Sequence, residues 1–307
     1  MHTETGVISF TSNEIVAKDI ARNLNVVYST ATVHQFPDGE SCVRIQPDYI
    51  CKRMIVVCSL YNPDPLVLSL LFLAETLRDY GAEEIILVAT YLAYMRQDKR
   101  FNEGEGISAR YFARMISEYF DGLVTVDPHL HRIKSLDEIY TIPSQLIHAA
   151  PVVADWIHNN INNSLLIGPD SESEQWVKDL AQRAQSPYVI LEKIRHGDRD
   201  VEVSVPQVKQ WLHHTPVLFD DIISTGKTML QTMTNLKRSG LSAPVCVGIH
   251  GVFSESAYQD MVDAGAARIA TTNSIPHPSN AINLVPATSK AIVIILQSIN
   301  QGYNNDT

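Results

Sequence analysis

Residues 217–229 read VLFDDIISTGKTM, and this stretch sets how the rest of the chain is to be read. Val217, Leu218 and Phe219 make a short apolar run of the kind that forms a buried strand. Asp220 and Asp221 put two carboxylates near its end, and Ser224, Thr225 and Gly226 supply a small, hydroxyl-rich turn before a segment of helical period. A strand feeding directly into a helix is the unit from which parallel sheets are built. The same alternation recurs from end to end, with VISF (7–10), MIVVCSL (54–60), EIILVAT (84–90), LVTV (123–126), SLLI (164–167) and PVCVGIH (244–250) as further buried strands. Helices are expected over Thr11–Asn23, opened by a capping box of Thr11 and Glu14, over Pro65–Tyr80 before Gly81, and over Thr228–Ser239 before Gly240.

The 307 residues suggest about two domains. The polar stretch Ile142–Pro151 is the expected boundary, and the helical run Ala287–Asn300 could pack on either side of it. Hydrophobic types at 45% and charged types at 19% exclude extended disorder and coiled coil. A net charge of −10 gives no global support to nonspecific binding of nucleic acid or of an anionic membrane, so neither is expected as a partner. The start MHTETGVISF has no signal-peptide pattern, and the longest apolar run, Leu66–Ala74, is broken by Ser69 and far short of a membrane span. Cys42, Cys51, Cys58 and Cys246 form no CxxC pair, which fits a reducing, cytoplasmic setting.

In an open parallel sheet ligands bind beyond the carboxyl ends of the strands, so polar residues directly after apolar runs are the candidates. The GKT of 226–228 invites a P-loop reading, but the glycine a Walker A loop needs five positions earlier is Asp221. The turn is instead suited to wrapping one phosphate with N–H and hydroxyl donors, beside carboxylates able to accept from vicinal sugar hydroxyls. A 5-phosphorylated pentose has both features. The plainer alternative is a strand-to-helix turn with an acidic cap. Two further patterns have ordinary readings of their own: FPDGE (36–40) as a β-turn and RQDKR (96–100) as a solvated charged loop. Asp127, His129 and His131 would share one face if the strand LVTV stayed extended, either to hold a cation or simply to close the strand.

Val217–Met229 looks like the phosphoribosyl diphosphate motif of type I phosphoribosyltransferases, with Lys227 where the family often has Gly. Taken with FPDGE and RQDKR in this order and spacing, it resembles that of ribose-phosphate pyrophosphokinases over nearly the whole chain, as a divergent, bacterial-type branch. The resemblance implies an α/β fold of two type I phosphoribosyltransferase-type domains, each a mainly parallel sheet flanked by helices. Residues 1–148 would bind ATP and 149–307 ribose 5-phosphate. It implies transfer of the β,γ-pyrophosphoryl group of Mg-ATP to the C1 hydroxyl of ribose 5-phosphate, and a homo-oligomer in which a neighbouring subunit completes the ATP site.

By the same resemblance Phe36 stacks on adenine, Asp38, Gly39 and Glu40 line its edge, and Arg96 and Gln97 address phosphates and base. Asp220 and Asp221 hold the ribose hydroxyls, while Ser224, Thr225, Gly226, Lys227 and Thr228 hold the 5-phosphate. His129 and Asp170 are assigned to Mg²⁺, and His131 is not carried over. Lys193 and Arg195, in LEKIRHGDRDVEV, match a catalytic flexible loop, with Arg195 also on ribose 5-phosphate; by composition alone that stretch is an exposed loop. Three segments depart from the family: SESEQWV (171–177) from a Gly-rich pattern, RFNEGEGIS (100–108) from a more basic linker, and Ile194 from a basic residue. Two other readings share part of this pattern, a transferase that consumes phosphoribosyl diphosphate and a noncatalytic regulatory relative.

Overall fold

The structure, a computed structural model, describes residues 4–130, 132–169, 173–195, 201–204 and 208–305. The chain forms two units: Met1–His148 with Ser274–Pro276 and Leu284–Thr307, and Ala149–Asn273 with His277–Asn283.

The first unit holds seven strands: β1 (Thr5–Phe10), β2 (Val27–Gln35), β3 (Ser41–Arg44), β4 (Arg53–Val57), β5 (Glu84–Ala89), β6 (Gly122–Val126) and β7 (Ser144–Ile147), in the order β3-β2-β1-β4-β5-β6-β7. All neighbours run parallel except the hairpin β2/β3. Ile8, Met54, Val56, Ile85, Leu87 and Leu123 share one core with α2 (Asp64–Asp79) and α3 (Ser108–Tyr119). Their strand neighbours Val7, Ile55, Ile86 and Val124 are equally buried. By strand alternation they serve the opposite face. Burial on both faces is why these strands read as continuous apolar runs.

The opposite face is covered by α1 (Glu14–Leu24) and α8 (Val285–Asn305), the latter packing on β6, β7 and α1. Gly122 makes that approach possible, since a Cβ there would lie 2.9 Å from Ile86 Cδ1 and 3.0 Å from Ile295 Cδ1. Helix α8, which begins beyond the 148/149 boundary and whose packing the sequence left open, packs with the first unit, where the buried stripe Ile292, Ile295 and Ile299 finds its partner. The capping box expected at Thr11 does not form. Thr11–Asn13 make a short 3-10 turn, α1 begins at Glu14, and Glu14 pairs with Lys18 instead.

The second unit is a six-stranded, wholly parallel sheet in the order β15-β14-β13-β12-β8-β9. Its strands are β8 (Ser164–Gly168), β9 (Tyr188–Ile190), β12 (Thr215–Ile223), β13 (Val245–Gly251), β14 (Arg268–Thr272) and β15 (Asn280–Ile282). Leu165, Ile167, Leu218 and Cys246 pack there with Met229, Met233 and Leu236 of α6 (Lys227–Arg238). Helices α4 (Ala150–Asn160), α5 (Glu174–Ala184) and α7 (Ala257–Asp263) complete the unit, and β10 (Glu192–Arg195) with β11 (Val201–Ser204) form a separate antiparallel ribbon. Among the described residues no helix is long and apolar enough to cross a membrane.

If α8 is part of the first core, Ile295→Ala, at a residue 2% exposed, lowers stability by about 2–5 kcal/mol, the usual cost of such a truncation. A downward shift of the denaturant midpoint of that unit checks it.

Candidate active site

Strand β12 is central in its sheet, between β8 and β13. Apolar residues bury its first half, and the acidic pair arrives where the strand nears its carboxyl end. Asp220 lies beside Gly248 of β13. A Cβ on Gly248 would stand 2.6 Å from Ile223 Cδ1, so glycine lets the two strand ends close together. Asp220 is half-buried, and burial first, then the hydrogen bond and charge of Asp221, push its carboxyl up to about 7. The Ile222 N–H donates to Asp221 Oδ1 at 2.8 Å. Two carboxylates on consecutive residues titrate as a pair, and such a pair favours a ligand bearing hydroxyl donors or positive charge.

The chain then bends through Ser224 and Thr225 to Gly226, whose φ of +66° is a left-handed conformation that glycine adopts without strain. The turn is anchored from below by Phe253 N–H to Ile223 O at 2.9 Å and Ser254 N–H to Ser224 O at 3.2 Å. The first helical bond of α6 runs from Leu230 N–H to Gly226 O at 2.8 Å. The N–H groups of Lys227, Thr228 and Met229 thus have no intrahelical acceptor, and no side chain caps this end. Thr225, Lys227 and Thr228 are exposed, so the turn offers an open set of donors for an anion.

A neighbouring group was not foreseen from the sequence. Phe253, at φ +40°, meets Tyr258 and His277 with ring centroids 5.3 and 4.5 Å away. His277 Nδ1 accepts from the Ser279 N–H at 3.1 Å, and burial pushes the imidazole pKa below its ordinary value. The signal was present: Gly251–Ser254 directly follow the buried run PVCVGIH, just as DDIISTGKT follows PVLF.

In the first unit Phe36–Glu40 form the tip of the β2/β3 hairpin. Gly39 N–H donates to Phe36 O at 2.9 Å, Glu40 N–H to Asp38 Oδ1 at 3.1 Å, and Gly39 takes φ +93°. All of 32–40 is exposed, and Phe36 packs only edge-on against His34, at 4.8 Å. Arg96 and Gln97 lie in the loop after β5. Arg96 is exposed with no hydrogen-bond or ion-pair partner among the described residues, whereas Gln97 Nε2 donates to Glu105 Oε2 at 3.0 Å and Gly106 O at 3.3 Å. Glu105 also accepts from Asn102 and from the Phe101 N–H, and these bonds, the Asn102 side chain first, hold its carboxyl at about 2. The segment RFNEGEGIS is therefore an ordered loop centred on Glu105, an organisation that composition does not reveal.

Beyond β6 the expected alternation breaks. Asp127 turns to φ +28° and accepts from His148 Nδ1 at 3.1 Å, so Asp127 and His129 do not continue one extended face. His129 is half-buried in the segment that follows, and His131 and Asp170 lie outside the described residues. Among the described residues no three His, Cys, Asp or Glu groups converge as a metal cage. A hard cation that takes most of its ligands from water and substrate phosphate needs few protein donors. Lys193 and Arg195 stand two residues apart on β10, for which only the backbone is described.

Two helix-flanked, mainly parallel sheets, one ending in an acid pair and an uncapped helix start, define a phosphoribosyltransferase-type α/β enzyme. Residues 5–119 match the N-terminal domain of ribose phosphate pyrophosphokinase, and residues 135–285 the phosphoribosyl transferase domain. The ribose-phosphate pyrophosphokinase of Sulfolobus acidocaldarius is 33% identical over 81% of this chain and 86% of its own length. That of Sulfurisphaera tokodaii is 30% identical over 93% and 99%. The chain belongs to the ribose-phosphate pyrophosphokinase family. The fold agrees with a solved phosphoribosylpyrophosphate synthetase from Mycobacterium smegmatis, at TM-score 0.78 and 22% identity over 96% of this chain and 100% of that one.

Because Asp220 ionises only near pH 7, its acceptor capacity grows as pH rises through that value. Ribose 5-phosphate binding, followed by calorimetry without ATP, tightens over the same range. In Asp221→Asn the midpoint moves down, since the like charge is gone. In Asp220→Asn this step disappears, leaving only the titration of the phosphate ester itself near ~6.

Proposed function

We propose that the diphosphokinase reaction of this chain proceeds by attack of the C1 hydroxyl of ribose 5-phosphate on the β-phosphorus of ATP. The bond between the β-phosphorus and the oxygen bridging to the α-phosphate breaks. AMP leaves with that oxygen, the pyrophosphoryl group stays on C1, and the hydroxyl proton passes to solvent or a phosphate oxygen. The observation that carries the ribose side is the pairing of Asp220 and Asp221 with the uncapped start of α6. The acid pair accepts from the ring hydroxyls, and the turn Ser224–Thr228 receives the 5-phosphate on backbone N–H and hydroxyl donors.

On the nucleotide side, Phe36 provides an aromatic face, Asp38 and Glu40 acceptors for an amino group, and Arg96 an unpaired guanidinium for phosphate. The exposure of the entire hairpin tip supports its use by a second copy of the chain, hence a homo-oligomer. A divalent cation, Mg²⁺ in this reading, would be held by His129 and Asp170 and would neutralise charge on the β- and γ-phosphate oxygens when bound. Lys193 and Arg195 stabilise the charge that builds on the transferring group, and phosphoryl chemistry of this kind depends mainly on positioning and charge rather than on a strong base. All four cysteines are free, which supports a reducing, cytoplasmic setting.

Lys193→Ala lowers turnover by ~10²-fold or more, the scale for losing one stabilising donor, with no change in melting temperature. Near-normal turnover would remove its catalytic role. Asp220→Asn raises the KM for ribose 5-phosphate more than that for ATP, and an ATP-selective defect would mean that the two substrates are assigned to the wrong units.

A further inference from the structure

The segment that carries His129 has no regular secondary structure, yet it is fixed at several points. Leu130 packs against the first core, and Ile133 and Leu136 are buried in it. Its polar anchor is Arg132, whose backbone N–H donates to Asp98 Oδ2 at 3.2 Å and whose Nη1 donates to Asp98 Oδ1 at 2.9 Å. The Asp98 side chain is only 3% exposed, whereas that of Arg132 is 49% exposed. A carboxylate buried this deeply is held by its donors, and charge-assisted bonds to both of its oxygens fix its orientation as well as its charge. The Phe101 ring closes the other side, with the Arg132 guanidinium 5.5 Å from its centroid. Asp98 and Phe101 thus form a clasp around Arg132.

The clasp joins two pieces of chain far apart in sequence. Asp98 directly follows Arg96 and Gln97, and the Gln97 carbonyl accepts from the Ala109 N–H of α3 at 3.3 Å, which ties the same loop to a helix. Arg132 lies three residues beyond His129. The loop proposed for ATP and the segment proposed for the metal are therefore held in one register by a single buried carboxylate.

We propose that Asp98 is a positioning residue which, through Arg132, aligns Arg96 and Gln97 with His129, so that the nucleotide phosphates and their divalent cation are received as one unit. The inference rests on the assignment of ATP and metal to this unit. It asks for no contact between Asp98 and substrate. Phe101, from the segment that departs from the family, adds the closing contact.

The test compares Asp98→Ala, Arg132→Ala, the double variant, Asp98→Asn and Phe101→Ala. Steady-state constants for ATP, Mg²⁺ and ribose 5-phosphate are measured, and calorimetric binding of α,β-methylene-ATP with and without Mg²⁺ is read independently of turnover. Asp98→Ala raises the KM for ATP and the activation constant for Mg²⁺ together, by ~10-fold or more, as for partners that orient a metal ligand. The KM for ribose 5-phosphate stays within about two-fold, and the double variant is no worse than either single one, as expected of residues acting through one link. Asp98→Asn, which keeps an acceptor oxygen, recovers part of the loss. Phe101→Ala, at a half-exposed surface position that folding tolerates, shifts the same two constants by a smaller factor. Binding of the analogue weakens in step, and chiefly when Mg²⁺ is present.

Unchanged ATP and Mg²⁺ constants in an active Asp98→Ala enzyme would overturn the proposal. So would a parallel rise for ribose 5-phosphate, or losses that multiply in the double variant. A wild-type chain that made no AMP from ATP and ribose 5-phosphate would instead refute the underlying assignment.

Discussion

Two carboxylates on consecutive residues near the end of a buried strand create a conflict that the surrounding chain is arranged to tolerate. Asp220 and Asp221 repel one another, and burial raises the cost of ionising Asp220. The arrangement persists because β12 is held on both sides by parallel neighbours and because Gly248 lets the strand ends close together. In the proposed reading, a sugar with adjacent hydroxyls would relieve the conflict by donating hydrogen bonds, and the phosphate on the same sugar would reach the donors of the next turn. The penalty of the acid pair in the free protein would then become selectivity on binding.

In the first unit the residues proposed for the nucleotide come from loops and a hairpin rather than from one turn. Loops of this length keep a shape only when their polar groups are internally satisfied. Here Glu105 gathers the donors of 97–102, and Asp98 gathers those of Arg132. Acidic residues beside a proposed anion site look misplaced by charge alone. They act as fasteners for the loop in which Arg96 is exposed.

The central strands were legible because strands buried on both faces are continuous apolar runs, and VISF, EIILVAT, LVTV and SLLI all lie in such strands. The hairpin strands β2 and β3 were not, since residues 32–40 are exposed and β3 alternates half-buried and exposed positions, so neither is a continuous buried apolar run. The turn between β12 and α6 was legible from residue types that act locally: two acids, two hydroxyls and a glycine. The turn at Asp127 was not legible, since a shared face with His129 held only if the strand stayed extended, and at φ +28° it does not. The place of α8 was unreadable for a related reason. An apolar stripe such as Ile292, Ile295 and Ile299 fits any sheet face, and only the gap left at Gly122 selects one. What the sequence concealed was therefore long-range pairing, whereas local chemistry was open to view.

The central claim is that this chain moves two phosphorus atoms at once. Phosphorus NMR of the purified protein with Mg-ATP and ribose 5-phosphate tests it most directly, by resolving every phosphorus-containing product in one spectrum. The account predicts AMP and phosphoribosyl diphosphate in equal amounts, with both phosphates of the new C1 pyrophosphoryl group derived from the β and γ positions of ATP. ADP, free pyrophosphate or inorganic phosphate as the main product would contradict it.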